Sequence, residues 1–223
     1  MDKQLQRFKI VSTVIKSITD LKLVSNRICL IVCNPYYEQK YELGDAVCND
    51  SFEIAKLYCK TYQVFVLIDQ PLDLLRACLN EISKNELFDF VFYYAGHGTQ
   101  VDSSDGTSEE DGKDEAYVFK SMEFLTDDEF TQLIQNIKSK NKLVLSDCCH
   151  SGTIIDDSSN LTYFSGCLDS QLAIQLSDNG LFTKYLVENK SMLLKDIAKK
   201  ITDFSEQFGQ KPVLIGNRKK LLL

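Results

Sequence analysis

The chain has 223 residues, 44% hydrophobic and 26% charged, with 13 Phe and 10 Tyr. That length fits one large α/β domain or two small ones, and the apolar content excludes a disordered, collagen-like or low-complexity chain. Twenty-five Lys and Arg against 32 Asp and Glu leave a formal charge of −7, which excludes a general nucleic-acid binder, since phosphate attraction needs a basic footprint. No apolar run reaches the roughly 18–20 residues of a bilayer span. The N-terminal residues Met1–Gln6 lack the charged-then-apolar layout of a signal peptide, so a cytoplasmic protein with no membrane association is expected. Most of the eight cysteines lie in apolar segments and none forms a CxxC pair. Buried thiols are therefore expected, rather than a disulfide framework or a sulfur-ligated metal.

In chain order, Leu5, Phe8, Val11, Ile15 and Ile18 recur at helical spacing and predict an amphipathic helix over 5–18. Residues 1–26 are set apart as an N-terminal helical extension, and 27–223 as a single domain. Residues 27–34 are a short apolar run stopped by Pro35, the pattern of a strand buried on both faces of a parallel sheet. A helix is expected over 49–60. The unit repeats with a strand over 63–68 and a helix over 71–84, where Pro71 suits the first turn. A third strand covers 87–94. Polar residues dominate 95–115, before an extended segment at 116–119, a helix over 126–138 and a fourth strand at 142–146. Beyond these, the pattern predicts an extended piece at 161–167, helices over 181–188 and 192–208, and a strand at 212–215. Alternating strands and helices predict a mostly parallel sheet with helices on both faces, and ligands of such sheets bind outside the carboxyl ends of the strands.

Three strand ends carry chemistry. Asn34 and, past a loop, Asp50 follow the first; Gly96-His97-Gly98 follows the third; Asp147-Cys148-Cys149-His150-Ser151-Gly152 follows the fourth. Both histidines of the chain lie in these loops. A cysteine nucleophile acts as the thiolate and needs a proton partner. His97 can supply it, whereas His150, next to the thiol on an extended segment, projects away and braces the loop. Period two separates the cysteines: Leu143, Leu145, Asp147 and Cys149 share one face, and Val144, Ser146 and Cys148 share the other. Cys149 is the candidate nucleophile and Cys148 a packing residue. Asp50 also opens Asp50-Ser51-Phe52-Glu53, the pattern of a helix capping box. Other motifs fail. Val101 stands where a dinucleotide fingerprint needs its third glycine, and neither a P-loop nor a GxSxG elbow occurs.

Residues 102–129 hold 11 of the acidic residues and only two lysines, while the rest of the chain is net positive by two. This is the composition of a solvated loop. It is not an EF-hand, because aligning Gly112 with the turn glycine puts Thr107 and Val118 at the first and last ligand positions.

Tyr93-Tyr94-Ala95-Gly96-His97-Gly98, followed by Asp147-Cys148-Cys149-His150-Ser151-Gly152, resembles the two catalytic motifs of metacaspases, within the caspase-like cysteine peptidases. Matches at Gly44–Asp50, Asp111–Glu115, Leu125–Glu129, Phe164–Cys167 and Gly180–Thr183 extend the resemblance over about residues 27–216. It implies a caspase-like three-layer α/β/α sandwich and a calcium-dependent cysteine endopeptidase that cuts protein or peptide substrates after Arg or Lys, as a monomer. His97 and Cys149 correspond to the catalytic dyad, acting through an acyl-enzyme. The backbone N–H groups of Gly98 and Cys149 would hold the oxyanion, and Asp50 and Asp147 the cationic side chain, a role that their charge suits. Asp111, Asp127, Asp128 and Asp156 correspond to ligands of an activating, non-catalytic Ca²⁺. Two features are this chain's own. Ala95 stands where the family commonly has serine, and no Lys or Arg occurs between Lys142 and Lys184, so an active, uncleaved single chain is expected. The alternative is a catalytically silent regulatory or binding relative, against which the retention of His97 and Cys149 stands. A caspase-like enzyme of acidic specificity would need a basic pocket where the strand ends offer carboxylates.

Overall fold

The computed structural model describes residues 2–102, 113–149, 160–167, 175–176, 179–205, 211–217 and 219–223. Their elements are α1 (Asp2–Phe8), β1 (Thr13–Val14), β2 (Arg27–Cys33), α2 (Asp45–Tyr58), β3 (Gln63–Ile68), α3 (Leu72–Ile82), β4 (Leu87–Ala95), β5 (Gly98–Asp102), β6 (Lys113–Val118), β7 (Phe124–Thr126), α4 (Asp127–Gln135), β8 (Ser139–Asp147), β9 (Leu161–Ser165), β10 (Gln175–Leu176), β11 (Asn179–Gly180), α5 (Leu181–Glu188), α6 (Leu194–Ser205) and β12 (Val213–Ile215). Among the described residues, seven strands form one sheet in the order β1-β3-β2-β4-β8-β9-β12. Its pairings are parallel except β12 on β9.

The central strands are apolar on both faces because both faces are covered. Alternate residues of β2 and β4 (Leu30, Val32, Phe92, Tyr94) pack with α3 and α4 on one side. Their neighbours (Cys29, Ile31, Val91, Tyr93) pack with α2, α5 and α6 on the other. This is the expected three-layer α/β/α sandwich. A second, antiparallel sheet of β5, β6 and β7 stands at the carboxyl end of β4. Lys142 is buried in β8 and donates to the carbonyls of Ile134 (3.0 Å) and Gln135 (3.2 Å), closing the last turn of α4.

Four expectations are corrected. The helix over 5–18 is realised only in α1; Thr13 and Val14 instead pair with Phe65 and Val66 as an edge strand. Ile18, the last residue of the predicted apolar stripe, is exposed. The polar stretch 95–115 contains β5, whose pairing with β6 is a tertiary event that local apolar spacing does not signal. Pro71 is the N-cap of α3 rather than its first helical residue. Asp50 caps nothing: α2 begins after Gly44, and Asp50 lies in its second turn with its carboxylate engaged elsewhere.

Candidate active site

β2, β4 and β8 end in register, Cys33 opposite Ala95 and Ala95 opposite Asp147, so the three chemical loops converge. His97 follows β4 after a glycine that has no room for a side chain: a Cβ on Gly96 would lie 2.7 Å from the Tyr94 hydroxyl and 2.9 Å from that of Tyr36. The half-buried imidazole stacks on the Tyr36 ring, with centroids 4.9 Å apart and planes at 28°, and meets Tyr41 edge-on at 6.1 Å. Its Nε2 lies 2.8 Å from the backbone oxygen of Tyr41. A carbonyl oxygen can only accept, so Nε2 carries the hydrogen and Nδ1 is the basic atom of the neutral ring.

At the tip of β8 the two cysteines separate as the strand period requires. Cys148 is 1% exposed and packs in the core with Val144, whereas Cys149 is half-buried; both border a cleft shared with His97. Gly98 packs against the backbone of Cys149: a Cβ built on it would lie 1.9 Å from the Cys149 carbonyl oxygen. Only glycine permits β5 to pass so close to the thiol-bearing loop.

Asp50 and Asp147 line the same cleft. Buried Asp50 accepts from the Asn179 side-chain amide and the Gly180 N–H, both at 2.8 Å. Half-buried Asp147 accepts from the Thr183 hydroxyl at 2.6 Å and its N–H at 3.3 Å, and the Thr183 hydroxyl in turn meets Tyr93 at 2.7 Å. Burial, and secondarily the charge of Asp147, pushes the Asp50 carboxyl up to about 8. Burial also raises Asp147, against the pull of the Thr183 hydrogen bonds. Among the described residues, no lysine or arginine pairs with either. The cleft holds about 130 Å³. A larger depression of about 620 Å³, at the opposite end of the sheet near Lys140 and Lys220, has neither thiol nor imidazole, so the chemistry belongs to the smaller one.

The expected calcium ligands are only partly within view. Asp111 and Asp156 lie outside the described residues, as does His150. Asp127 and Asp128 open α4; Asp127 is buried and accepts the Asp128 N–H at 2.9 Å, while Asp128 is exposed. Among the described residues no group of three or more His, Cys, Asp or Glu side chains converges on a metal position. Carboxylates suit calcium chemically, but two of them do not make the six to eight oxygens that it takes. No helix among the described residues is long and apolar enough to cross a membrane.

Tyr36, Tyr41, Asn179, Gly180 and Thr183 also contact the candidate residues, although no sequence motif assigns them a site role. A signal existed for Gly180 and Thr183, which belong to one of the matched segments; Tyr36 and Tyr41 are set by a loop conformation that has no local signature.

A thiol and an imidazole from neighbouring strand ends, beside paired carboxylates and over a parallel sheet, define a site of the cysteine-peptidase type. The comparisons agree. The profile of the Caspase domain family matches residues 26–219. Metacaspase-4 of Arabidopsis thaliana is 37% identical over 68 residues, 30% of this chain and 16% of that protein. Metacaspase-6 of the same plant is 33% identical over 84 residues, 37% of this chain and 23% of that one. The matched regions thus span less than a quarter of those relatives' lengths. The crystal structure of the Drosophila initiator caspase Dronc superposes with a TM-score of 0.65 at 15% identity, covering 87% of this chain and 81% of that one. A Geobacter sulfurreducens protein gives 0.69 at 20% identity, covering 86% and 95%. The chain belongs to the caspase-domain family of cysteine peptidases, and the curated relatives that it resembles are metacaspases.

Proposed function

We propose that the chain is a calcium-dependent cysteine endopeptidase that cleaves proteins or peptides after Arg or Lys. The observation that carries this reading is the convergence of Asp50 and Asp147 on Gly180, in one cleft with His97 and Cys149 and without a cationic partner among the described residues. A guanidinium or ammonium entering that cleft would favour the ionised form of both desolvated carboxyl groups at once. An acidic side chain there would add a further like charge.

In this reading the Cys149 thiol passes its proton to His97 Nδ1, and the thiolate adds to the scissile carbonyl. Backbone N–H groups of Gly98 and Cys149 hold the oxyanion, each worth roughly 10²- to 10³-fold in rate. The imidazolium protonates the leaving amine, the C–N bond breaks, and an acyl-enzyme remains. His97 then takes a proton from water, whose attack releases the acid and restores the thiol. Calcium takes no part in these steps. It is proposed as an activator to which Asp127 and Asp128 contribute oxygen ligands, and the protein is proposed to act as a cytoplasmic monomer.

Fluorogenic peptides ending in Arg, Lys or Asp, assayed with and without Ca²⁺, test the reading. Turnover of the Arg or Lys peptides, dependent on Ca²⁺ and lost in Cys149→Ala, is expected. Preference for Asp would overturn the specificity, unchanged turnover in excess chelator would remove calcium, and no turnover of any peptide would favour the silent regulatory alternative.

A further inference from the structure

The imidazole of His97 is held by more than its own strand. Tyr36, three residues beyond the end of β2, reaches both the ring and the backbone of His97. Its ring forms the stacking face. Its hydroxyl accepts the His97 N–H at 2.9 Å. The same hydroxyl lies 3.2 Å from that of Tyr94, which donates to the His97 carbonyl at 2.7 Å. An arrangement that gives each acceptor its own hydrogen has Tyr94 donating to His97 and Tyr36 donating to the Val118 carbonyl at 2.8 Å. The N–H and the carbonyl of His97 are therefore each bonded by a phenol, and the absent Cβ of Gly96 leaves room for the two hydroxyls.

This placement comes with backbone strain. Tyr36 has φ 54°, in the left-handed region that bulky residues avoid. What holds it there is Asp69, just past the end of β3. One oxygen of this buried carboxylate accepts the Tyr36 N–H at 2.8 Å and the other the Tyr37 N–H at 3.1 Å. Asp69 is itself at φ 48°, and its N–H bonds the Cys33 carbonyl at 3.0 Å, tying the turn to the end of β2. Two strained residues from adjacent strand ends, locked by a bidentate carboxylate, end in one aromatic ring laid on the imidazole.

We propose that Tyr36 is a positioning residue for His97, and that Asp69 is the latch that sets it. The role rests on the reading of Cys149 and His97 as the reacting pair. With Nε2 directed at the Tyr41 carbonyl and the ring face covered by Tyr36, the imidazole keeps one orientation, leaving Nδ1 for the thiol. Tyr36→Phe keeps the stacking face but removes the acceptor for the His97 N–H. Tyr36→Leu removes both. Asp69→Asn keeps one carbonyl oxygen where two N–H groups need acceptors.

The test uses the full chain and two readouts. The first is the pH profile of Cys149 alkylation by iodoacetamide, read by mass spectrometry of the Cys149 peptide, with partly exposed Cys59 as reference thiol and His97→Ala as the limit of a thiol without its imidazole. The second is kcat and KM on an Arg peptide, with thermal unfolding as the check of folding. Tyr36→Phe should lower kcat about 3- to 10-fold, the equivalent of one ordinary hydrogen bond. Tyr36→Leu should lower it about 10²-fold, as a misplaced catalytic group does. Asp69→Asn should fall between them. KM should stay within about twofold, and each alkylation profile should move toward that of His97→Ala in the same order, with Phe partly rescuing Leu. Should Leu fail to fold, Phe and Asn carry the test. Folded variants with wild-type kcat and wild-type alkylation profiles would overturn the proposal. A wild-type profile identical to that of His97→Ala would overturn it together with the dyad. Shifted profiles in a protein that cuts no Arg peptide would uphold the positioning and sink only the proposed specificity.

Discussion

Asp50, in the second turn of α2, and Asp147, at the tip of β8, both border the position where a side chain of residue 180 would begin. A Cβ built on Gly180 would lie 3.1 Å from the nearer oxygen of Asp50 and 2.8 Å from that of Asp147. The space between the carboxylates exists because residue 180 has no side chain.

Gly180→Ala should therefore act on substrate binding rather than on folding or chemistry. Its φ of −68° and ψ of 146° suit alanine, so the added methyl has a steric effect only. We expect KM for an Arg peptide to rise about tenfold with kcat little changed. Asp50→Asn, which removes a charged acceptor, should raise it by roughly 10- to 100-fold, the worth of a charge-assisted hydrogen bond. Steady-state kinetics of both variants decide this, and wild-type KM values in both would place the cationic side chain elsewhere.

The carboxylate pair also has a pH signature. Between the ordinary aspartate value of 3.8 and about 8, folded Asp50 retains a proton that the unfolded chain has released. The unfolded state thus binds fewer protons, so this contribution to stability is fully present below the ordinary value and is lost as pH rises through about 8. Denaturant unfolding at several pH values in that window should show wild-type stability falling relative to Asp50→Asn. A difference that is flat, or that grows with pH, would contradict the assignment. Since a bound cation favours the ionised carboxylate, KM for Arg peptides should also fall as pH rises toward 8.

Gly98→Ala tests the packing of β5 on the nucleophile loop. A Cβ at 1.9 Å from a backbone oxygen cannot be relieved by a rotamer change, so Cys149 must shift. A displacement of that order should cost about 10²-fold in kcat. Activity within a factor of two of wild type would show that the thiol is not placed by this contact.

Residues 143–183 contain no Lys or Arg, so an enzyme of the proposed specificity cannot cut itself there. Active, Ca²⁺-treated protein should run as a chain unbroken across that segment in denaturing electrophoresis and intact-mass analysis. An internal cut within it would count against the specificity.

What could be read in the sequence follows the range of the physics involved. Burial on both faces of a parallel sheet writes itself locally, so Arg27–Cys33, Leu87–Ala95 and the alternation that turns Cys148 inward and Cys149 outward were legible. Pairing across distance is not local, so the strand over Gly98–Asp102 lay hidden in a polar stretch and the edge strand at Thr13–Val14 beneath a helical spacing. Asp50 shows the limit of motif reading. Its capping pattern is present, but the helix had already begun at Asp45, freeing the carboxylate for Asn179 and Gly180. Tyr36 owes its place to a left-handed turn and a distant aspartate, neither of which has a sequence signature.

The most direct measurement is covalent trapping. A peptidyl-arginine chloromethyl ketone and its aspartate counterpart are incubated with the protein, and the modified residue is located by fragment mass. The arginine reagent should attach to Cys149, leave Cys148 untouched and fail on His97→Ala, while the aspartate reagent should attach far more slowly. Attachment to Cys148 would contradict the proposed nucleophile, and equal attachment by both reagents the proposed specificity.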